Sequence, residues 1–344
     1  MGKQAIAIIS TDKHLNENNA LELLDLADQE INLAHELGVN TVIWLGDIFD
    51  SRISQRQELL TCLDQMLDMY ADADLSLICI PGNHDKTDYE ADESFLTPYR
   101  HHPNFDLIET PQARVIEGID FDFVPFYSQD VWLKKFATLT PPAGKKSVLC
   151  SHTAVQGSIN NDGREVSSKI KLKLLTKYGK VFLGHYHNAQ QPGATVFHLP
   201  STRQNNFGED DEKGFTVLYN DLSTTLVKGQ FKPYKTIALE ASTVTPKQLK
   251  ELSETDTEEC NVRVVLTGTR EDVKSINKKM LEQKGIVIKT KYDDIEVVET
   301  EEAEVLQKLS GSDLKEKFKT FCEEKGYEYE EGFKLLKEVM KWQE

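Results

Sequence analysis

The stretch Thr41-Val42-Ile43-Trp44-Leu45-Gly46-Asp47-Ile48-Phe49-Asp50 joins an apolar run to a short segment that carries two carboxylates. A run of five apolar or β-branched residues is typical of a strand that is buried on both faces. Asp47 and Asp50 follow that run within five residues. The stretch therefore predicts a buried strand that delivers carboxylates to one edge of a sheet.

The same arrangement of an apolar run followed by polar ligand-type residues occurs four more times. The clusters are Asp12-Lys13-His14 after residues 5–9, Gly82-Asn83-His84-Asp85 after 75–80, Ser151-His152 after 147–150, and Gly184-His185-Tyr186-His187 after 181–183. Loops that follow strand ends meet at one edge of an open sheet. Five strand ends that bring Asp, His and Asn to one place predict a dinuclear metal centre.

The residue types and their spacing suit that chemistry. Asp and neutral His are ligands for Mn²⁺, Fe or Zn²⁺. Asp12 and His14 are two residues apart and can face one ion, whereas His185 and His187 can serve the two ions from one loop. Asp47 can bridge, since both carboxylate oxygens have lone pairs to donate. Two neighbouring ions polarise a phosphodiester and generate hydroxide at neutral pH.

Two further residues of the third cluster have separate predicted tasks. Asn83 adds a neutral carbonyl oxygen, and His84 is expected to point away from the ions. A free imidazole there could protonate a leaving alkoxide or stabilise the transition state.

Any one cluster alone has a simpler explanation, such as a turn capped by its own polar groups. The ordered set of five favours the metal centre, and the histidines outside it are interpreted as structural: His35, His101, His102 and His198.

Length and composition limit the class of protein. A chain of 344 residues with 39% hydrophobic residues predicts one large domain and a smaller one. It lacks both a run of roughly 18 apolar residues and a signal peptide, which favours a cytoplasmic protein away from membranes. The five cysteines form no Cys-x-x-Cys pair and are expected to be reduced.

The charge distribution bears on nucleic-acid binding. A net charge of −17 argues against broad, nonspecific binding to DNA phosphates. Residues 164–180 run the other way, with six basic residues against one acidic residue. That segment is either a solvated helix face or a local contact for the phosphate backbone.

The pattern along the chain predicts an α/β sandwich, in which two sheets pack face to face with helices outside. Helices are expected at 18–37 and 55–70, and a strand-rich region follows Asp85. Composition changes near Lys232-Pro233, after which a small α+β domain is predicted. Its expected elements are strands at 235–239, 261–266 and 287–292, and helices at 246–252 and 270–283. The predicted domains are therefore 1–232, 233–300 and a helical segment at 301–344.

The five clusters in this order resemble the signature of calcineurin-like metallophosphoesterases, over about residues 4–220. The resemblance implies a four-layer α/β sandwich and a catalytic His84. It assigns Asp12, His14 and His187 to one metal ion, assigns Asn83, His152 and His185 to the other, and makes Asp47 the bridging ligand.

A second resemblance is to SbcD-type DNA nucleases, whose Pro-Gly-Ser, Phe-Gly-Glu and Lys-Gly-Phe segments are similar to residues 200–215. The Gly-Asp-Ile-Phe-Asp motif at residues 46–50 is most similar to that of phage-type recombination endonuclease subunits. The resemblance implies a Mn²⁺-dependent (or Mg²⁺-dependent) endonuclease or exonuclease acting on DNA in recombination, repair or replication. It also implies that residues 233–300 cap and position DNA. The helices of 301–344 would bind an SMC-like SbcC-type ATPase, in a homodimeric assembly.

Departures and alternatives remain. SbcD-type enzymes carry His where this chain has Asp50, which leaves the balance between exonuclease and endonuclease action open, and Ser201-Thr202 replaces the usual Gly-Ser. Protein phosphatases would show Asp-Arg-Gly after the second cluster and Glu after Gly-Asn-His. This chain has Asp50-Ser51-Arg52 and Asp85 at those places. One rival is a small-nucleotide phosphodiesterase, and another is a scaffold subunit whose metals only stabilise the fold. The C-terminal apolar faces pack either on a partner or on their own domain.

Overall fold

The computed structural model describes residues 2–140, 146–161, 163–255, 257–293 and 319. The strands of these residues, in chain order, are β1 Ala5–Ser10, β2 Thr41–Trp44, β3 Ser76–Cys79, β4 Phe105–Leu107, β5 Gln112–Ile116, β6 Ile119–Val124, β7 Ser147–His152, β8 Lys180–Gly184, β9 Gln190–Gly193, β10 Val196–His198, β11 Gly214–Tyr219, β12 Thr224–Lys228, β13 Tyr234–Glu240, β14 Asn261–Gly268 and β15 Val287–Tyr292. The helices are α1 Ala20–Leu37, α2 Gln57–Asp72, α3 Gln129–Phe136, α4 Pro246–Ser253, α5 Arg270–Ser275 and α6 Lys278–Glu282. Short 3₁₀ turns occupy Thr97–Tyr99 and Leu172–Leu174.

Two six-stranded sheets carry the first part of the chain. Their strand orders are β12-β11-β1-β2-β3-β4 and β5-β6-β7-β8-β10-β9. Strands β1 to β4 run parallel, as do β6, β7, β8 and β10, whereas antiparallel strands lie at the edges. The carboxyl ends of β1, β2, β3, β7 and β8 are the five points at which the ligand-type clusters begin.

Alternation along the strands explains how the layers pack, because successive side chains point to opposite faces. In β2, Val42 and Trp44 pack with the core beneath α1 and α2, whereas Ile43 packs between the two sheets. In β8, Phe182 faces the inter-sheet core, and Val181 faces a third core that includes Trp132 of α3. The predicted sandwich of two sheets flanked by helices is confirmed.

A separate three-stranded parallel sheet, β13-β14-β15, follows with helices α4, α5 and α6 around its own core. The predicted single helix at 270–283 is wrong, because the helix stops after Ser275 and restarts at Lys278. Ile276 takes an extended conformation and is buried, and serine and asparagine flank it, residues that favour turns over helix interiors. The domain boundaries at 232 and 300 stay predictions.

The solvated helix face, one of the two interpretations of residues 164–180, is wrong: this segment has the turn Leu172–Leu174, an isolated bridge at Glu165 and the first residue of β8, Lys180. The alternative, a local contact for the phosphate backbone, stays a prediction. Strand β9 and helix α3 were not predicted. β9 is an edge strand that holds Pro192, and a proline in a short polar run hides such a strand.

Cys62, Cys79, Cys150 and Cys260 are free and buried. Apart from residue 319, the predicted helical segment at 301–344 lies outside the described residues. No helix in the described part of the chain is long and apolar enough to span a membrane.

Candidate metal centre

The turns that follow β1 and β2 are joined to each other by backbone hydrogen bonds. The amide of Asp12 donates to the carbonyl of Gly46 and the amide of His14 to that of Asp47, each at 3.0 Å. Asp12, His14, Asp47 and His185 all have positive φ values, of 54°, 49°, 53° and 99°. Such conformations cost about 1–3 kcal/mol each for residues other than glycine, and they cluster at functional sites. The fold therefore holds four ligand-type residues in conformations that their side chains alone disfavour.

Three of the predicted ligands form one set. The Nε2 atoms of His14 and His187 lie 3.0 Å apart. The Asp12 Oδ1 atom is 3.9 Å from His14 Nε2 and 3.8 Å from His187 Nε2. All three residues are buried, and their ligand atoms converge within 4.8 Å of one another. The structure thus brings together the residues that the resemblance assigns to one ion.

The second set gathers around Asn83. Its Oδ1 atom lies 2.7 Å from His185 Nδ1 and 3.1 Å from His152 Nε2. Ligand atoms of Asp47, His152 and His185 also converge within 4.8 Å of one another. His152 is oriented by its other ring nitrogen, because Nδ1 donates to the carbonyl of Leu45 at 2.6 Å.

Asp47 stands between the two sets. Its Oδ2 atom is 3.3 Å from His152 Nε2 and 3.8 Å from His14 Nε2. Burial alone would raise the pKa of Asp47, but the neighbouring imidazoles, above all His152, lower it well below its usual range. Conversely, burial would lower the pKa of His152, but the Asp47 carboxylate raises it to about 9. The ionised Asp47 carboxylate therefore favours a positive charge beside it, between the two ligand sets.

The donor set fits divalent transition-metal ions. Two groups of imidazole nitrogens and carboxylate oxygens, with one amide oxygen, are the ligand types that such ions prefer. An ionised carboxylate shared by both groups also offsets part of the charge of two cations. Asp12, His14 and His187 would hold one ion and Asn83, His152 and His185 the other, with Asp47 shared.

His84 lies at the rim of the site, 4.0 Å from Asp47 Oδ2 through its Nε2 atom. Its Nδ1 donates to the carbonyl of Asp50 at 2.5 Å, and the Arg52 guanidinium donates to its Nε2 at 2.6 Å. Burial lowers the pKa of His84. With Nδ1 as donor and Nε2 as acceptor, the ring in this arrangement is the neutral tautomer protonated at Nδ1. The cleft, of about 360 Å³, is lined by Arg52, Tyr186 and four asparagines as well as the ligand-type residues.

The structure also shows contacts that sequence reasoning missed. Lys13, the middle residue of the first cluster, turns away from the site and lies 3.5 Å from buried Glu30, which accepts hydrogen bonds from Trp44 and Tyr70. This buried network anchors the turn that carries Asp12 and His14. Buried Asp85, for which the sequence predicted no role, accepts from the amides of Ile48, Phe49 and Gly82, and so ties the second turn to the third.

The histidines predicted to be structural lie outside both ligand sets. His198 is buried, with Nε2 2.8 Å from the Ser158 hydroxyl and Nδ1 3.2 Å from the Gly184 carbonyl. His102 pairs with Asp68, and His35 lies against the carbonyl of Ala73.

Gly82 offers a test of how tightly the ligand turns are packed. A methyl group on Gly82 would overlap the carboxylate and the backbone nitrogen of Asp47. We expect Gly82→Ala to weaken Mn²⁺ binding by about 100-fold, because Asp47 must move. The measurement is a calorimetric titration of the metal-free protein. Gly193→Ala in β9, where the added carbon meets Leu172 at an ordinary 3.4 Å, is the matched control and should bind like wild type. Equal affinities for the two variants would show that the turns tolerate the added methyl group.

Comparison with known proteins adds to these observations. The family model described as calcineurin-like phosphoesterase matches residues 8–189, just over half of the chain. The sequence is 23% identical, over 209 residues, to a protein named exonuclease subunit 1 of Enterobacteria phage T4, and the match covers 59% of each chain. A solved structure of Pseudomonas putida nuclease MPE aligns with 15% identity and a TM-score of 0.27, covering 53% of this chain and 62% of that one. A TM-score at that level supports no conclusion about fold or function.

Proposed function

We propose, from the premise that this chain belongs to the calcineurin-like phosphoesterase family, that it is a Mn²⁺-dependent nuclease that hydrolyses phosphodiester bonds in DNA. Family membership makes the chain a metal-dependent phosphoesterase, a hydrolase. The finer statements about the metal, the DNA substrate and the partners are inferences from its residues and its similarities.

The observation that carries the proposal is the shared carboxylate of Asp47, which lies 3.3 Å from a nitrogen of one ligand set and 3.8 Å from a nitrogen of the other. Two divalent ions held by these sets would polarise a phosphodiester and supply a nucleophile at neutral pH. The surrounding residues fix the ligands in place. Backbone hydrogen bonds join the turns after β1 and β2, and the Asp85 side chain accepts from backbone amides of the second and third turns. A site that only stabilised the fold would need no second group beside it.

That second group is His84. Its ring is fixed by the Asp50 carbonyl at Nδ1, and its Nε2 faces the cleft beside the ligand sets. Nε2 carries no proton while it accepts from Arg52. Once Arg52 has moved to the substrate, a proton taken up from solvent at Nε2 would pass to the leaving oxygen, the role that general acids play in phosphodiester cleavage. The Arg52 guanidinium donates a hydrogen bond to Nε2 in this structure. Its positive charge also suits a phosphate oxygen. We infer that Arg52 exchanges His84 for the substrate phosphate.

Two observations favour DNA over a small nucleotide. The chain has similarity to a phage protein named exonuclease subunit 1. In addition, the three-stranded sheet β13-β14-β15 contacts the segment beside the metal centre: the Tyr234 ring meets Phe207 edge-to-face at 4.8 Å, and Arg263 lies over Phe207. A domain attached so close to the site is in a position to contact a long substrate. The same contact supports the proposal that residues 233–300 position DNA. From the resemblance to SbcD-type nucleases alone, we also propose that residues 301–344 bind an SMC-like ATPase of the SbcC type in a homodimeric complex.

A nuclease assay on end-labelled hairpin and linear DNA, with and without Mn²⁺, tests the proposal. We expect cleavage of at least one substrate only with Mn²⁺. Turnover of plasmid DNA should also exceed that of a cyclic nucleotide, which separates the nuclease from a small-nucleotide phosphodiesterase. Intact DNA under all conditions, or cleavage that is equal in a His84→Ala variant, would overturn the assignment. Capture of the ATPase by the full chain, and its loss on truncation at about residue 305, tests the partner.

A further inference from the structure

Glu209 contacts the predicted metal ligand His187 through Nδ1, the ring nitrogen that is not the predicted ligand atom. Its Oε1 atom lies 2.7 Å from Nδ1 of His187, and Oε2 accepts from the amide of Asn205 at 3.0 Å. The side chain of Asn206 donates to Oε1 at 2.6 Å. The Glu209 side chain is only 3% exposed. A carboxylate so enclosed, with both oxygens accepting, is held in one orientation.

A buried lysine completes the arrangement. The Lys213 side chain has no exposed surface, and its Nζ lies 3.6 Å from Glu209 Oε2. Nζ also donates to the carbonyl of His187 at 2.6 Å and to the side chain of Asn188 at 2.8 Å. Breaking such a buried pair by removing one partner is costly. Glu209 therefore holds the ring of His187, while Lys213 holds its backbone.

The hydrogen bond has a direct consequence for the imidazole. A carboxylate accepts only, so Nδ1 of His187 carries the hydrogen that it donates. In the neutral ring the lone pair is then on Nε2, the atom that lies 3.0 Å from His14 Nε2 and 3.8 Å from Asp12 Oδ1. Groups that orient metal-binding histidines in this way raise the basicity of the ligand nitrogen.

We propose that Glu209 is a positioning residue for the ion held by Asp12, His14 and His187: it selects the His187 tautomer whose Nε2 binds metal and so sets the affinity of that position. The inference rests on the proposed two-ion centre and deepens it. Glu209 itself touches neither the substrate nor the ions.

The first test uses the metal-free full chain. Nitrogen-15 NMR of the histidine rings, with His187→Gln to identify the signal, should show His187 as the tautomer protonated at Nδ1. In Glu209→Ala the ring should lose this preference and populate both tautomers. Glu209→Gln keeps one oxygen that can accept from Nδ1, so it should retain the tautomer. Glu212→Ala is the matched control, because Glu212 lies in the same segment but is 56% exposed and pairs with Lys228.

The second test is a calorimetric titration with Mn²⁺. We expect Glu209→Ala to bind one of two ions about 10- to 100-fold more weakly, with a smaller loss in Glu209→Gln and none in Glu212→Ala. An unchanged tautomer in Glu209→Ala, or a changed tautomer with unchanged Mn²⁺ affinity, overturns the inference. If Glu209→Ala does not fold, a Glu209→Gln variant with wild-type affinity and a His187 ring protonated at Nε2 also overturns it. A wild-type chain that binds no ions contradicts the proposed function instead, and the tautomer of the metal-free ring still decides whether Glu209 positions His187.

Discussion

Replacing Asp47 with asparagine is expected to lower the rate of phosphodiester hydrolysis by about a thousandfold, which corresponds to about 4 kcal/mol of transition-state stabilisation. Asparagine keeps the size of the side chain and the oxygen that accepts from the amide of His84 at 2.8 Å. It removes the negative charge and one of the two oxygens. With Oδ1 retained, an NH2 group replaces Oδ2, the oxygen that lies between the two ligand sets. An NH2 group cannot bind a cation, so the variant should also hold fewer metal ions.

The measurement combines turnover of DNA with the number of Mn²⁺ ions per chain by elemental analysis. Asp122→Asn is the matched control, because Asp122 is also a buried carboxylate but lies in β6 and accepts from the hydroxyl of Tyr178 at 2.5 Å. The control should keep its metal ions and its rate. An Asp47→Asn variant that holds both ions and hydrolyses DNA at the wild-type rate would show that Asp47 does not link the sets.

Replacing His84 with alanine is expected to reduce kcat by about 10²- to 10⁴-fold while both metal ions stay bound. The ring belongs to neither predicted ligand set, and its Nε2 lies 4.0 Å from Asp47 Oδ2. Loss of the imidazole removes proton transfer at the leaving oxygen and leaves the ligands in place. Kinetics at saturating substrate, together with metal analysis of the same preparation, separate the two effects.

His102→Ala serves as the control for the loss of an imidazole, because His102 pairs with Asp68 away from the cleft. Arg52→Ala is informative alongside it: if Arg52 contacts the substrate phosphate, that variant should raise KM more than it lowers kcat. A His84→Ala enzyme with wild-type kcat, or one that loses an ion, would assign His84 a different role.

The sandwich and the meeting of the ligand turns were predictable because both depend on short-range patterns. The runs that end before Asp12, Asp47 and Asn83 are apolar on both faces, and parallel strands that are buried in this way bring their carboxyl ends to one edge. Spacing also placed His185 and His187 near different ligand sets.

The residues that orient the ligands could not be predicted in the same way. Glu209 reaches His187 across 22 positions of chain, and this contact depends on the conformation of an irregular segment. Lys13 looks like an exposed cation in the sequence, but positive φ values at Asp12 and His14 turn it towards Glu30. The break between α5 and α6 was also hidden, because Ile276 fits a helical apolar spacing yet is buried in an extended conformation.

Anomalous X-ray scattering at the manganese edge, from crystals grown with excess Mn²⁺, tests the two-ion centre most directly. We expect two manganese peaks per chain, one beside Asp12, His14 and His187 and the other beside Asn83, His152 and His185, with Asp47 in contact with both. A single peak, or two peaks that share no contact with Asp47, would contradict a shared dinuclear centre.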